Sequence, residues 1–182
     1  EVSHYLHHRG PDYFGKWRSA DGRVSLFHNR LSIIDLSDEG NQPMVDTTGN
    51  LTIVFNGEIY NHKFIRNEAL NSYDFQSFSD TEAILAAYGK WGVDCANHLE
   101  GMFSFALYDS TLDLVLMSRD RVGEKPLFYQ YSDGVLNFSS ELKPILEGNK
   151  DKILIDPISM DCYFYMGFVP GDRCILSGFN KL

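Results

Sequence analysis

The sequence predicts an α+β domain in which antiparallel sheets carry helices on their outer faces. Candidate strands come in pairs around short turns, as at residues 20–22, 109–111 and 133–134. Candidate helices cluster between these pairs and do not alternate with single strands, which disfavours a parallel βαβ arrangement. The strand predicted over residues 102–108 has apolar side chains on both faces, which indicates a sheet covered on both sides.

The first half of the chain predicts a hairpin, a long loop and a buried strand. The hairpin joins residues 12–18 to residues 24–28 through the turn at 20–22. Residues 36–50 are rich in Asp, Gly, Asn, Pro and Thr, which predicts a long surface loop, and such loops are often functional. The apolar run 51–55 predicts a strand buried on both faces, and we expect Asn56-Gly57 to end it.

Local signals place the helices and the remaining hairpins. Asn61 is expected to cap a helix that continues to about residue 71. Ser79 and Glu82 have the spacing of a capping box, which predicts a helix over residues 81–91. Later in the chain we expect strands 102–108, 112–117, 127–131 and 135–140, a short helix 141–146, a helix that starts at Asp156-Pro157, and a strand followed by a turn over 174–182.

Composition excludes several classes of function. The 182 residues predict one domain, and their 25 acidic and 16 basic residues give a net charge of −9. This charge disfavours a nucleic-acid partner, which needs a basic patch. The chain has no apolar run long enough to span a membrane, and it lacks the glycine-rich phosphate-binding motifs of nucleotide-binding folds. We expect a cytoplasmic location.

The cysteines and histidines give no signal for a metal site or for a disulfide framework. Cys95, Cys162 and Cys174 form no CxxC pair, and their odd number favours reduced thiols. His4 and His8 could share one face of an α-helix, but a zinc site needs a third ligand that the sequence does not provide. The sequence therefore predicts no metal in this domain.

Three candidate site features each have an ordinary structural alternative. Asn56-Gly57-Glu58 is either a common turn or a pair of donors, the Asn56 amide and the Gly57 N–H, for an oxyanion. Arg30 is either a solvated surface residue or a fork for a carboxylate. Asp80 is either an acid in a helix first turn or a partner for an ammonium group. Taken together, the three features fit a free α-amino acid with a side-chain amide, which is glutamine.

At this point the sequence resembles the class II glutamine amidotransferase domain of glutamine-hydrolysing asparagine synthetases. The resemblance extends over nearly the whole chain and rests on several ordered blocks, which together are more specific than any one of them. The blocks are HRGPD (8–12), RLSIIDL (30–36), QPM (42–44), NGEIYN (56–61), SDTE (79–82), LEGMFSFALYD (99–109), RDRVGEKPLFY (119–129), SSELK (139–143) and GFVPGDRCIL (167–176).

The resemblance implies a fold and a set of site residues. The fold is that of N-terminal nucleophile hydrolases, a four-layer αββα sandwich of two antiparallel sheets. By the same resemblance Arg30 binds the α-carboxylate of glutamine, Asn56 and Gly57 form the oxyanion hole, and Glu58 and Asp80 receive the α-ammonium group. The backbone that lines the pocket is that of Leu31, Ser32, Ile33 and Ile34.

The resemblance also implies a nucleophile that the 182 residues do not contain. The family uses a cysteine as its first residue, with its own α-amino group as the base, and we expect that cysteine shortly before Glu1. We therefore expect residues 1–182 to be truncated at both ends and inactive alone. We expect a covalently linked synthetase domain, which would use ATP and magnesium to amidate aspartate, whereas the present domain needs no cofactor.

Several alternatives stay open at this point. An amidotransferase of the same branch could pass ammonia to another acceptor, such as a sugar acid. A degenerate domain could have a structural or regulatory role without catalysis. Retention of all five matched groups, Arg30, Asn56, Gly57, Glu58 and Asp80, argues against such decay. The oligomeric state, including a homodimer, is not determined by the sequence.

Overall fold

Antiparallel sheets dominate the structure, a computed structural model that describes residues 2–32, 37–69, 73–147 and 153–182. The strands are β1 (Tyr13–Arg18), β2 (Ser25–Arg30), β3 (Met44–Val45), β4 (Leu51–Ile59), β5 (Gly101–Asp109), β6 (Leu114–Arg119), β7 (Phe128–Ser132), β8 (Val135–Ser139) and β9 (Asn180–Lys181). Within the described ranges they form sheets in the orders β1-β2, β3-β4-β5-β6 and β8-β7-β9, all antiparallel. The predicted α+β class is confirmed.

The helices are short except for two. The α-helices are α1 (His62–Phe64), α2 (Asp80–Trp91), α3 (Leu142–Leu146) and α4 (Pro157–Met166), with 3₁₀ segments at Val2–Arg9, Asp38–Gly40 and Gly92–His98 and a π-helical segment at Ile65–Ala69. None of those in the described part of the chain combines the length and apolar character that a membrane crossing requires.

The chain folds into two compact units, Ser3–Lys125 and Pro126–Leu182. The first unit contains β1–β6 with α1 and α2, and the second contains β7–β9 with α3 and α4. In the second unit α3 packs against β7 and β8. The small core of this unit is formed by Ile145, Cys174 and Phe179. The candidate site residues all belong to the first unit.

Helix α2 provides the main core of the first unit by packing across β4 and β5. Ile84 and Leu85 on α2 are fully buried, and they belong to one cluster with Ile53 on β4 and Phe105 and Leu107 on β5. Alternate residues of a strand share a face, so these strand residues define the face that α2 covers. The helix predicted from the spacing of apolar residues is confirmed, with its start at Asp80.

The small β1-β2 sheet covers the opposite face of the same strands. The Trp17 ring on β1 packs against the Tyr108 ring on β5, with 5.7 Å between ring centroids. Leu26 on β2 is only 1% exposed. The strands β4 and β5 therefore lie between a helix and a second sheet, which confirms the predicted covering of both faces.

Strand β4 does not end at Asn56-Gly57, so the turn expected there is wrong. The strand continues to Ile59, with Asn56 opposite Ser104 and Gly57 opposite Phe103 on β5. A Cβ atom on Gly57 would lie 2.1 Å from the Met102 carbonyl oxygen, and Gly57 has a φ of +152°. Glycine is thus required here by the close approach of β5.

The helix predicted after Asn61 does begin at His62, but the Asn61 side chain does not cap it. The Asn61 amide instead donates to the His98 carbonyl and its oxygen accepts from the Glu100 N–H, so Asn61 ties α1 to the segment before β5. The predicted continuation of this helix over residues 70–71 lies outside the described residues. At the other end of the chain the order expected over residues 174–182, a strand followed by a turn, is wrong. Leu176 forms only an isolated bridge with Ile155, and the strand β9 comes after the turn.

The segment 36–50 is less exposed than its composition suggests. Gly40, Gln42 and Met44 are buried, and they alternate with more exposed residues. This alternation places every second residue against the core, and β3 adds a short pairing with Thr52 and Ile53. The prediction of a surface loop is therefore wrong for the part over residues 40–44, and Leu36 lies outside the described residues.

The capping box at the start of α2 is only half formed. The Ser79 hydroxyl oxygen accepts from the Thr81 N–H at 3.2 Å, so Ser79 caps the helix, although a capping box would place this bond on the Glu82 N–H. The Glu82 carboxylate accepts from the N–H groups of Gln76 and Ser77, both at 2.8 Å. Glu82 thereby caps the loop that precedes the helix and not the Ser79 N–H.

The later elements follow the prediction closely. Strands β7 and β8 form a hairpin around Asp133-Gly134, where both residues have positive φ. Helix α4 starts at Pro157, and the Asp156 side chain accepts from the Ser159 N–H at 2.7 Å. Both signals are local, which is why the sequence pattern alone could identify them.

We predict that Gly101→Ala destabilises the first unit by about 3 kcal/mol, because overpacking and a strained backbone add. A Cβ atom on Gly101 would lie 2.1 Å from the Glu58 carbonyl oxygen, and Gly101 has a φ of +151°. Gly89→Ala is the matched control: a Cβ atom there meets nothing within 4 Å, so we expect a gain of about 0.5–1 kcal/mol for the helix. Urea unfolding measures both, and equal effects would contradict the prediction.

Candidate functional site

The outer edge of β4 is held by side chains beyond the short pairing with β3. Within the described ranges β3 pairs no further along β4 than Ile53. The Phe55 N–H donates to the Gln42 side-chain oxygen at 2.6 Å. The Ile59 N–H donates to Asp80 Oδ2 at 2.9 Å. Two buried side chains thus replace the acceptors that a neighbouring strand would supply.

The N–H of Gly57 points to the same edge, between these two hydrogen bonds. Alternate N–H groups of a strand point the same way, so Gly57 shares the direction of Phe55 and Ile59, about 7 Å from each. On the other side of β4, Phe103 directs its N–H and C=O to Asp120 and away from Gly57. Gly57 and Phe103 therefore form a pair without hydrogen bonds to each other.

The side-chain amide of Asn56 is a buried donor without an acceptor. Its Nδ2 atom is inaccessible to solvent and has no hydrogen-bond partner in the part of the chain that the structure describes. Leaving a buried donor unsatisfied costs about 1–3 kcal/mol, and such groups are rare in folded proteins. Asn56 directly precedes Gly57, so two donors predicted for an oxyanion lie on adjacent residues of β4.

Arg30 is buried at the end of β2, so the surface alternative for this residue is wrong. Arg30 is only 8% exposed. Nη1 donates to the Ser37 carbonyl at 2.8 Å and to the Asn41 side-chain oxygen at 2.7 Å. A guanidinium group fixed in this way has a defined orientation, which recognition of a carboxylate by two parallel hydrogen bonds requires.

The four residues after Arg30 are described only in part. Leu31 is 54% exposed. The Ser32 N–H donates to Asp12 Oδ2 at 2.8 Å, so this backbone is anchored to the segment before β1. Ile33 and Ile34 lie outside the described residues. That the backbone of these residues lines a pocket stays a prediction.

Asp80 lies in the first turn of α2, as its structural alternative predicted, and it is buried there. It is 5% exposed, and burial raises its pKa despite the N–H groups that donate to it. Glu58 is half-buried and lies on the same face of β4 as Asn56. His62 lies close enough to both acids for their charges to act on it, although burial lowers the pKa of His62 overall. The two predicted acids therefore border one region.

Further contacts hold the segment that leads into Asp80. Arg66 Nη2 donates to the Ser79 carbonyl at 2.5 Å, and its guanidinium lies 4.0 Å from the centroid of the Phe75 ring. Arg66 also forms an ion pair with Glu82, at 3.6 Å. The start of α2 is thus fixed by contacts with the preceding loop, and this fixes the backbone that carries Asp80.

His28 is a site neighbour that the sequence reasoning missed. Its Nε2 atom lies 3.1 Å from the Phe55 carbonyl oxygen, which is on the outer edge of β4. Burial, together with the charge of Arg30, lowers the pKa of His28 to about 4, although the hydrogen bond to Phe55 opposes this shift. At neutral pH the ring is therefore uncharged, and Nε2–H donates to Phe55. Its position two residues before Arg30, on the inward face of β2, is the signal that could have identified it.

Asn41 and Gln42 are the other residues that the sequence reasoning gave no role. Asn41 holds Arg30, whereas Gln42 accepts from Phe55 and donates to the Thr81 hydroxyl at 3.2 Å. In the structure, the alternating burial of this loop shows that every second residue faces the core. The polar composition of the loop predicted an exposed segment instead. The hydrogen bonds through these two residues connect β2, β4 and α2.

The three cysteines have settings unlike that of a reactive thiolate. Cys95 is fully buried in the core, where burial raises the pKa of its thiol to about 11. Cys174 is buried in the core of the second unit, and Cys162 on α4 is half-buried. All three are free thiols. At Cys95 the raised pKa disfavours the thiolate that nucleophilic attack requires.

The histidines near the start of the chain do not share a helix face. His4 and His8 lie in the 3₁₀ segment Val2–Arg9, which has three residues per turn, so residues four apart point in different directions. In the residues that the structure describes, no three His, Cys, Asp or Glu side chains are grouped as metal ligands would be.

A family model described as a glutamine amidotransferase domain matches residues 1–182. The chain belongs to this family. The amidotransferase domain is 37% identical to the "Putative asparagine synthetase [glutamine-hydrolyzing] 2" of Methanocaldococcus jannaschii, over 97% of this chain and 38% of that protein. It is 40% identical to "Amidase chry2" of Gibberella zeae, over 76% of this chain and 21% of that protein.

A solved structure has the same fold as the amidotransferase domain. The glutamine phosphoribosylpyrophosphate amidotransferase from B. subtilis matches with a TM-score of 0.56 and 20% identity, over 66% of this chain and 28% of that one. The predicted family resemblance and the fold type that it implies are confirmed. The chain spans about a fifth to two fifths of the curated relatives named above.

We predict that Asp80 makes the stability of the amidotransferase domain depend on pH. Because its pKa is raised in the folded state, folding takes up a proton, and the free energy of unfolding gains a contribution as the pH falls toward the ordinary value of 3.8. Asp80→Asn removes this contribution. As the pH falls, the free energy of unfolding of the wild type should therefore rise relative to that of the variant, by at most about 1.4 kcal/mol per pH unit.

Urea unfolding of both proteins from neutral pH to about pH 4 tests this dependence. The test follows how the difference in free energy of unfolding between wild type and variant changes with pH. A loss of hydrogen bonds in the variant that is the same at every pH does not affect this change. Two stability curves that stay parallel over this range would contradict the assignment of a raised pKa to Asp80.

Proposed function

We propose that the domain binds L-glutamine along the outer edge of β4 and releases its side-chain amide nitrogen as ammonia. The observation that carries this proposal is the buried Asn56 amide, which has no acceptor in the described part of the chain, next to the edge-directed N–H of Gly57. Two donors fixed in advance are suited to stabilise the oxyanion of an acyl-transfer intermediate.

The other predicted residues recognise the amino-acid end of glutamine. Arg30, held by Ser37 and Asn41, binds the α-carboxylate. The buried Asp80, together with Glu58, receives the α-ammonium group, whose charge offsets the cost of burying the carboxylate. Opposite charges at these places suit a zwitterion. The backbone of residues 31–34 completes the pocket in this proposal.

The proposed chemistry transfers an acyl group to a thiolate and then to water. The sulfur attacks the amide carbon, the carbonyl oxygen takes the negative charge and is bound by Asn56 Nδ2–H and Gly57 N–H, and the protonated nitrogen leaves as ammonia. Water then hydrolyses the thioester to glutamate and regenerates the thiol. These steps need no cofactor in this domain.

We assign the thiolate to a cysteine outside residues 1–182, at the amino terminus of a longer polypeptide. Cys95 and Cys174 are buried, and Cys162 lies on a helix of the second unit. A terminal cysteine carries its own base, because an α-amino group has a pKa of about 8 and exchanges protons near neutrality. Codons for Met-Cys ahead of Glu1 would support this assignment, and a start without Cys would oppose it.

The ammonia acceptor that we propose is aspartate, in a covalently linked synthetase domain. The support is the similarity to a relative named as a glutamine-hydrolysing asparagine synthetase, of which the matched part is 38%. The linked domain would use ATP and magnesium to activate the acceptor carboxylate. Formation of asparagine from glutamine, aspartate and ATP by the full-length polypeptide tests this proposal.

A second candidate is an amidotransferase of the same branch with a different acceptor, such as a sugar acid. The observation that favours it is the 40% identity to a fungal protein named as an amidase. Both candidates share the glutamine site, so they differ only in the acceptor. Glutamine hydrolysis by the full-length polypeptide that is unaffected by aspartate, with no asparagine formed, would favour the second candidate.

We predict that Asn56→Ala in the full-length polypeptide lowers kcat for glutamine hydrolysis about a hundredfold, because one oxyanion donor is lost. Arg30→Ala should instead raise KM, by roughly a hundredfold, since it removes the charged partner of the α-carboxylate. Thr52→Val is the control: Thr52 is buried on the same strand, and its hydroxyl has no partner in the described ranges. Unchanged rates in both site variants would overturn the proposed function.

We predict that the full-length polypeptide retains glutaminase activity when Cys95, Cys162 and Cys174 are all replaced by Ser. The attacking thiolate is proposed to lie outside residues 1–182, and the three replaced thiols are buried or half-buried. The isolated 182 residues should hydrolyse no glutamine for the same reason. Ammonia release measures both, and activity of the isolated chain that disappears with one of the serine substitutions would identify that cysteine as the nucleophile.

A further inference from the structure

Gln42 connects two elements of the site through its side chain. The residue is 7% exposed, and its side-chain oxygen accepts from the Phe55 N–H at 2.6 Å. Its amide nitrogen donates to the Thr81 hydroxyl at 3.2 Å. Thr81 follows Asp80 in the first turn of α2, and Phe55 precedes Asn56 on β4. One side chain therefore fixes the distance between the strand of the oxyanion donors and the helix of the buried acid.

The main chain of Gln42 is fixed as well. A Cβ atom on Gly15 would lie 1.8 Å from the Gln42 carbonyl oxygen, so the backbone of β1 contacts Gln42 directly. A close approach of this kind requires glycine on the strand. The Gln42 main chain thus packs against β1, whereas its side chain bonds β4 and α2.

Asn41 extends the same connection to the carboxylate fork. Its side-chain oxygen accepts from Arg30 Nη1 at 2.7 Å, and its amide nitrogen donates to Asp38 Oδ1 at 3.2 Å. A single peptide unit separates the residue that holds Arg30 from the residue that holds Phe55. The positions of the fork and of the strand edge are therefore linked through two adjacent residues.

We propose that Asn41 and Gln42 are positioning residues that together set the distance from the carboxylate fork to the oxyanion donors. We call this pair the brace. The inference rests on the proposed function, since it assigns Arg30 and Asn56-Gly57 to the two ends of one glutamine molecule. The brace touches no substrate. It acts through Arg30 at one end and through the backbone of Phe55 at the other.

The brace predicts a different kinetic effect for each of its residues. Loss of the Asn41 acceptor removes one of the contacts that orient Arg30 and leaves β4 in place, so it weakens ground-state binding of glutamine. Loss of the Gln42 acceptor leaves the Phe55 N–H without its partner and lets the edge before Asn56 move, which misplaces the oxyanion donors. A residue with only a structural role would lower stability without this division between KM and kcat.

The test uses four variants in the full-length polypeptide. Asn41→Ala should raise KM for glutamine about tenfold with kcat unchanged. Asn41→Asp should raise KM more, because the new carboxylate keeps the hydrogen bond but competes with the substrate for the guanidinium. Gln42→Met, of similar size, should lower kcat about a hundredfold with a smaller change in KM. Thr52→Val, which also alters a buried polar side chain, should change neither parameter.

Thermal unfolding of each variant accompanies the kinetics. Equal KM and kcat losses in the Asn41 and Gln42 variants, in proportion to their loss of stability, would overturn the brace. If Gln42→Met does not fold, the two variants of the less buried Asn41 decide, since KM unchanged in both also overturns it. Arg30→Ala and Asn56→Ala separate the proposed function from the brace. If these two variants leave glutamine hydrolysis intact, the proposed function fails. If they impair it as predicted while the Asn41 and Gln42 variants change neither KM nor kcat, only the brace fails.

Discussion

The outer edge of β4 is the constraint on which the site depends. A strand edge without a neighbouring strand leaves N–H and C=O groups that need partners. Beyond the short β3 pairing, Gln42, Asp80 and His28 supply these partners from three other segments of the chain. Among the described residues, single side chains and not a strand hold this part of the edge, and the N–H of Gly57 stays directed toward it.

The groups at this edge are costly to the fold, which is typical of sites that are prepared for a ligand. The Asn56 amide, buried without an acceptor among the described residues, and the buried carboxylate of Asp80 both oppose folding. Two neighbouring side chains limit these costs because they satisfy buried carbonyl groups. The uncharged His28 donates to the Phe55 carbonyl, and Arg30 donates to the Ser37 carbonyl. A zwitterion with a side-chain amide would complete all of these groups at once, and donors held in place need no rearrangement as charge develops.

The sequence predicted those parts of the molecule that local patterns determine. The hairpins follow from turn residues, and α2 follows from its apolar spacing, so both are confirmed. Asn56-Gly57 was misinterpreted because tertiary pairing overrides a local turn signal: β5 pairs with β4 through Gly57, where the two backbones approach closely, and the strand continues to Ile59. The roles of Asn41 and Gln42 could not be predicted, because their hydrogen bonds join residues between 11 and 39 positions apart.

If glutamine binds as proposed, the buried Asp80 would make ligand binding and protonation interdependent. Burial raises the pKa of the Asp80 carboxyl, whereas an ammonium group beside it would lower that pKa again. Each glutamine that binds would therefore expel a proton from the fraction of molecules that carry one at Asp80. The buffer would take up this proton, so the heat of glutamine binding measured in weakly acidic solution would include the ionisation heat of the buffer.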